Sequence, residues 1–366
     1  MRPRTAFLLL IAAAWVALFA QQPAVPSLPG EWRELPPLLT AASNNAVAGI
    51  RADGRSYIFS LMGIGLKKTW DAITPEAWAL EMKSREWVLL RPVPGPVGRL
   101  AASAAGVGER VFVFGGYAVD GQGGELSLSY VDIYELKAQR WARGADIPVP
   151  VDDSVIGVYR NRYVYLIGGW SKRDNLRDIQ IYDTEKDDWL AGTPIPGTPV
   201  FGHSGGLAGD TIIYVDGAYK NPAFGATPPP PAGTPAYLPS DECWMGKIDA
   251  KDLTKITWTR VPNHPGKARY RMAAGDWGQR IVFTGGTDNP YNFNGVGYNG
   301  RPSEPVATTF AWNVDRQMWQ TLPDNPHPTM DHRGLVRTQE GLVVVGGMET
   351  GQKVSTRVSL IRIPER

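Results

Sequence analysis

Five stretches of this chain repeat one design, a run of strand formers that ends on a turn dipeptide with glycine second. They read VFVFGGYAVDG, VYLIGGWSKRD, IIYVDGAYK, IVFTGGTDNP and LVVVGGMETG, and a degenerate copy reads YIFSLMGIG. The turn glycines fall at Gly63, Gly116, Gly169, Gly217, Gly286 and Gly347, at intervals of 53, 53, 48, 69 and 61 residues. That is the period of a propeller blade of about 50 residues with loops inserted into some copies. A second marker keeps step with the first: Trp87, Trp141, Trp189, Trp258 and Trp319 each follow a glycine turn, most of them after a strand and turn such as IQIYDTEKDDW.

Each unit therefore reads as four strands: a small-residue strand such as RLAASAAGV, the strand entering the glycine turn, the IYD-type strand and the tryptophan strand. Glycine at the turn permits positive φ and close backbone approach, and tryptophan supplies a broad surface for packing between sheets. The last unit ends VSLIRIPER with no tryptophan after it, while GEWRELPPL supplies Trp32 ahead of the first unit. The expected fold is an all-β, six-bladed propeller in which the N-terminal strand completes the C-terminal blade, a closure that leaves no open sheet edge. The glycine and tryptophan markers resemble the kelch motif over nearly the whole mature chain. That resemblance implies fold more than function, since propellers host many activities.

The chain opens MRPRTAFLLLIAAAWVALFAQQ, two arginines before an apolar run from Ala6 to Ala20. This reads as a secretory signal peptide over residues 1–20, with residues 21–366 forming the propeller, so a secreted or periplasmic location is expected. The run is short for a membrane span of about 20 residues. Without residues 1–20 the 38 Lys and Arg fall to 36, against 36 Asp and Glu. A neutral chain with no basic run argues against nucleic acid or anionic membrane as a partner. Cys243 is the only cysteine, so no intramolecular disulfide forms and stability rests on packing. In its strand-like context, DECWMGKID, this cysteine reads as a small packing residue. The tetraproline at residues 228–231 reads as a stiff surface spacer.

Strands alternate in direction within a blade, so the entrance to the innermost strand shares a face with the loop joining strands two and three. Aligning the innermost strands predicts Asn45, Arg99, Asp153, His203, Arg271 and Arg333 at equivalent entrances around the mouth of the central channel. Three arginines at one mouth suit a carboxylate or other anion. Tyr117, Trp170, Tyr219 and Tyr291 offer flat surfaces for a sugar ring or peptide. Asp152 and Asp153, or Asp331 and His332, are acid and base candidates. The bland alternative is that these side chains hold adjacent blades together around a water-filled channel. His203 and His332 face each other across the channel in this reading, but four histidines without ligand spacing suggest no metal, and no cofactor is expected.

Two families with kelch propellers are informative. Galactose oxidase has a copper site with a tyrosine–cysteine crosslink and seven blades; here the lone Cys243 lies in a strand away from the mouth. The chain is more similar to the periplasmic N-acetylneuraminate epimerases, the sialic acid mutarotases, which share the signal peptide, the six blades, the closing strand and an ending like GLVVVGGMETGQKVSTRVSLIRI. That resemblance implies a sugar-acid substrate, an arginine holding its carboxylate and an acid or base that moves a proton. The family's Asn-Gly-Glu at the fourth-blade turn corresponds to Asp216, Gly217 and Ala218, and alanine moves no proton. Asp153 or Glu349 is then the catalytic candidate. The expectations are a small-molecule binder, its ligand a carbohydrate, at the mouth; a sugar epimerase or mutarotase on the same site; or a non-catalytic module that captures an acidic peptide or protein.

Overall fold

The computed structural model describes residues 25–95, 97–172, 174–225 and 227–364; the signal-peptide expectation lies outside them. Six four-stranded antiparallel sheets form the blades, in an all-β arrangement. The innermost strands are Ala46–Ala52, Ser103–Val107, Val155–Tyr159, Ser204–Ala208, Ala273–Trp277 and Val336–Arg337. Each is a terminal strand of its sheet, so its free edge faces the central channel. The second strands are the apolar runs of the repeat and are buried almost throughout, for example Thr211–Val215. A strand covered by neighbouring blades on both faces has no polar side to alternate with.

Glu31–Glu34 pairs antiparallel with Val358–Arg362, so the N-terminal strand completes the sixth blade as expected. The tryptophan of each outermost strand also ties its blade to the one before. Trp32, Trp87, Trp141, Trp189, Trp258 and Trp319 donate their indole N–H to the carbonyls of Pro323, Pro36, Arg91, Ala145, Thr193 and Pro262, at 2.7–3.3 Å. Each acceptor lies just beyond the outermost strand of the preceding blade, so the recurring tryptophan is a blade-to-blade clasp as well as a packing surface.

The loops between second and third strands lie on one face, hereafter the loop face. Four of them extend as short ribbons, such as Ala218–Lys220 with Tyr237–Pro239. The opposite, turn face carries the tight connections between first and second strands, such as Gly209–Asp210.

Candidate functional site

At each blade entrance a bridge joins the residue leading into the innermost strand to the residue after the glycine turn: Ser43 to Ile64, Leu100 to Tyr117, Asp152 to Trp170, Phe201 to Ala218, Tyr270 to Thr287 and Met330 to Met348. The residue after each bridge turns left-handed: Asn44, Ala101, Asp153, Gly202, Arg271 and Asp331, with φ between 52° and 71°. These six are the equivalent positions. Of the ring expected from sequence only Asp153 and Arg271 belong to it; Asn45, Arg99, His203 and Arg333 are offset by one or two residues. The backbone kink sets the register, and an alignment of apolar runs does not contain it.

The six kinks are hydrogen-bonded in a closed circuit. The amides of Asp153, Gly202, Arg271 and His332 donate to the carbonyls of Ala101, Asp153, Gly202 and Arg271, at 2.8–3.2 Å. The Ala101 amide donates to Asn44 Oδ1 at 2.7 Å, and the Asn44 amide to the Asp331 carbonyl at 3.1 Å. This ring draws all six blades together at the loop-side end of the channel.

The arginines do not face an open mouth. Arg271 donates from Nε and NH2 to both oxygens of Asp153, at 3.1 and 2.5 Å, and from NH1 to Asp331 at 2.9 Å. Arg333 donates from NH1 to Asp153 Oδ1, and Asp331 accepts from Ser43 Oγ at 2.7 Å. Two guanidiniums and two carboxylates therefore neutralise one another, with side chains no more than 3% exposed. Arg99 lies within blade 2, paired to Asp132 and the Gly115 carbonyl, and Asn45 donates to Ser60.

Above the cluster the loop-face residues close over it. Ile64, Leu100, Tyr117, Phe201, Ala218, Tyr270, Tyr291, Met330 and Met348 are fully or nearly fully buried in one apolar cluster drawn from five of the blades, with Trp170 of the third blade, Tyr237 and Tyr298 packed against it. Neighbouring ring centroids among Trp170, Phe201, Tyr237, Tyr298 and Tyr270 are 4.5–5.6 Å apart. The Arg271 guanidinium lies 4.9 Å from the Tyr270 ring and 5.5 Å from that of Tyr291. Of the aromatics expected to receive a ligand, Tyr117 and Tyr291 are thus consumed in the plug, while Trp170 and Tyr219 are half-buried.

The expected proton-transfer groups are placed as follows. Burial pushes Asp153 up, but Arg271 and Arg333 outweigh it and hold the carboxyl below its usual range; its lone pairs are engaged by both arginines. Asp152 is raised well above its ordinary value by burial and by the Asp153 charge, and accepts from Ser127 Oγ at 2.6 Å. Glu349 is elsewhere, bonded to Ser355 and Arg357 and lining a groove between blades 6 and 1. The structure does not bring Asp153 and Glu349 into one cavity. His203 and His332 both line the channel, and burial lowers them to about 4 and about 3. Cys243 is fully buried and burial raises its thiol.

The fourth-blade turn carries a structural dyad that sequence reasoning missed. Asp216 is left-handed, φ 63°, and fully buried; its Oδ2 accepts from His264 Nε2 at 2.6 Å and from the Arg269 amide at 2.7 Å. A Cβ on Gly217, φ 90°, would lie 2.9 Å from the Phe201 carbonyl, so the second glycine is obligatory. Ala218 is fully buried in the plug.

A six-bladed ring with kelch markers defines a class, and the comparisons agree with it. The Kelch motif family model matches residues 98–148 and 158–195. Kelch-like protein 15 of Mus musculus is 23% identical over 241 residues, 65% of this chain and 37% of that one. Kelch-like protein terF of Aspergillus terreus is 26% identical over 269 residues, 70% of this chain and 51% of that one. The chain spans about half or less of these curated relatives. The solved structure of YjhT superposes with a TM-score of 0.69 at 16% identity, covering 91% of this chain and 98% of that one, a likeness of fold. The chain is a kelch-repeat β-propeller.

Proposed function

We propose that the protein is an exported, non-catalytic interaction propeller that docks a partner polypeptide on its loop face. The observation that carries this reading is the distribution of exposed apolar side chains. Leu39, Leu66, Trp70, Leu126, Phe224 and Val296 all stand out on the loop face. Leu39 and Leu66, 66% and 67% exposed, line a groove of about 980 Å³ between blades 6 and 1. Trp70 projects beside it, its ring against Gly121 of blade 2. Exposed apolar groups with a tryptophan beside a groove are the usual anchor points of a protein interface. Export rests on the arginine-led apolar N-terminus.

The epimerase reading is not favoured by this geometry. Its fourth-blade acid is replaced by buried Ala218, and both candidate carboxylates are engaged in ion pairs. A carbohydrate at the loop-side mouth has one supporting observation, the half-buried rings of Trp170, Tyr219, Tyr237 and Tyr298. It requires the plug to part.

Peptide display against the immobilised propeller, with counter-selection on a Leu39→Asp/Leu66→Asp/Trp70→Ala variant, tests the docking face. Enriched peptides are expected to bind the native protein and lose about tenfold or more of their affinity for the variant. Equal binding to both overturns the reading.

A further inference from the structure

Every blade ends in an outermost strand whose outer edge has no partner within its own sheet. Such an edge presents a row of free amides and carbonyls, and proteins blunt it with charge or cover it. Both devices are present here. The outermost strands of blades 2 and 6 read RWAR and EWRE, and those of blades 3 and 4 carry exposed Asp188 and Arg260. That of blade 5, Met318–Leu322, is covered by the N-terminal arm: the Thr321 amide donates to the Pro26 carbonyl at 2.9 Å, and the Leu28 amide to the Thr321 carbonyl at 2.8 Å.

Blade 1 differs. Its outermost strand, Glu86–Leu89, reads EWVL and runs on into Leu90. Val88 and Leu89 are each 56% exposed, the one adjacent pair of large apolar side chains so exposed among the described residues. Val88 lies opposite Ala79 and Leu89 opposite Trp78 on the next strand inward, and the Leu90 amide donates to the Ala77 carbonyl at 2.8 Å. Hydrogen-bonded pairs alternate along antiparallel strands, so Val88 also directs its backbone groups inward, while those of Trp87 and Leu89 point away from the sheet. Two donors and two acceptors thus stand in line beside two exposed apolar side chains.

We propose that this edge pairs with the same edge of a second copy of the chain, antiparallel about Val88, joining the two first blades into one eight-stranded sheet. In that register Val88 opposes Val88 and Trp87 of each copy opposes Leu89 of the other. Four backbone hydrogen bonds form, and each exposed apolar residue meets an apolar residue. The pattern is self-complementary, so the contact is isologous and closes at two copies. Charge permits it: Arg91 of one copy comes opposite Arg85 of the other, and Arg85 is already neutralised by both oxygens of Glu340, at 2.7 and 2.8 Å. With strands this short the contact falls in the class below about 1,200 Å², so the dimer is weak and concentration-dependent. It is independent of the loop-face docking groove.

Sedimentation velocity of the propeller from about 5 µM to about 1 mM tests the pairing, and a monomer–dimer equilibrium is expected within that range. Leu89→Lys, a charge on an exposed edge, is expected to weaken it about tenfold or more. The Leu39→Asp/Leu66→Asp/Trp70→Ala variant, altered on the loop face, is expected to dimerise as the native protein does. Cross-linking tests the register. Val88→Cys sets two thiols at a directly opposed pair, with Cβ atoms about 4.5–5.5 Å apart, whereas Leu89→Cys sets them on a diagonal, at roughly 7–8 Å. Cys243 is fully buried and does not compete. Under mild oxidation Val88→Cys is expected to form a covalent dimer about tenfold faster than Leu89→Cys. A monomer at every concentration overturns the proposal. So does a dimer that is as strong in Leu89→Lys or lost in the loop-face variant, or a Leu89→Cys cross-link that forms as fast as that of Val88→Cys.

Discussion

Asp216 and Arg271 illustrate how single residues are used here against their ordinary tendencies. Asp216 takes a left-handed turn position that four other blades give to glycine and the first gives to Met62, and it is held there by His264 and the Arg269 amide. Removing one partner of a buried hydrogen bond leaves the other unsatisfied, so His264→Ala is expected to lower unfolding free energy by about 2 kcal/mol, read from the urea midpoint. Ala218→Glu, which would restore the acid of the sugar epimerases, places a carboxylate at a site with no exposure. It is expected to destabilise the fold and to leave the NMR-measured anomeric exchange of sialic acid at its uncatalysed rate. The buried histidines of the channel make stability depend on pH with a definite sign. His203 and His332 are lowered to about 4 and about 3 by burial, whereas in the unfolded chain they protonate near about 6.5. Their contribution is present in full above that value and is lost as pH falls towards the folded values. A double replacement by glutamine is expected to flatten the decline in melting temperature between pH 6.5 and 4.

At the scale of strands and turns, much is legible in the sequence. Glycine turns and tryptophans in phase are enough to count blades, and the unpaired ends of the chain identify the closing strand. The entrance ring was not legible, because its register depends on a left-handed residue that is asparagine, alanine, aspartate, glycine or arginine in different blades. The arginines pointed to an anion, but the Arg271 partners Asp153 and Asp331 are contributed by blades 3 and 6, and no spacing in the sequence announces that Arg271 spans both. The tryptophan clasp makes a further prediction. Trp32 stands in a four-residue strand as Trp141 does, and it makes the same indole bond as its five counterparts. Trp32→Ala is expected to cost about as much as Trp141→Ala, roughly 2–4 kcal/mol each by denaturant unfolding.

For the molecule as a whole, the two faces differ in how they treat the central channel. The loop face, with its long insertions, is sealed at the centre and apolar at its periphery; the turn face, made of tight and unremarked connections, holds the entrance to the channel. The buried cluster of Arg271, Arg333, Asp153 and Asp331 serves as the polar floor between them. Its charges balance, so it joins blades 3, 5 and 6 without demanding an external counter-ion.

The pairing of Glu31–Glu34 with Val358–Arg362 also sets a timetable. A strand made among the first residues waits for a partner made among the last, across more than 320 residues of synthesis. At about 5–20 residues per second that interval is roughly 20–60 s. Throughout it the outer strand has no sixth blade to complete, and the first blade lacks the carbonyl of Pro36 held in place for Trp87. Blades 2 to 5 can assemble in order as they emerge, but the circle cannot. The nascent protein is therefore an open arc with two adhesive ends for most of its early life, and any factor that shields the short segment around Trp32 during that period governs how much of it closes on itself rather than on a neighbour.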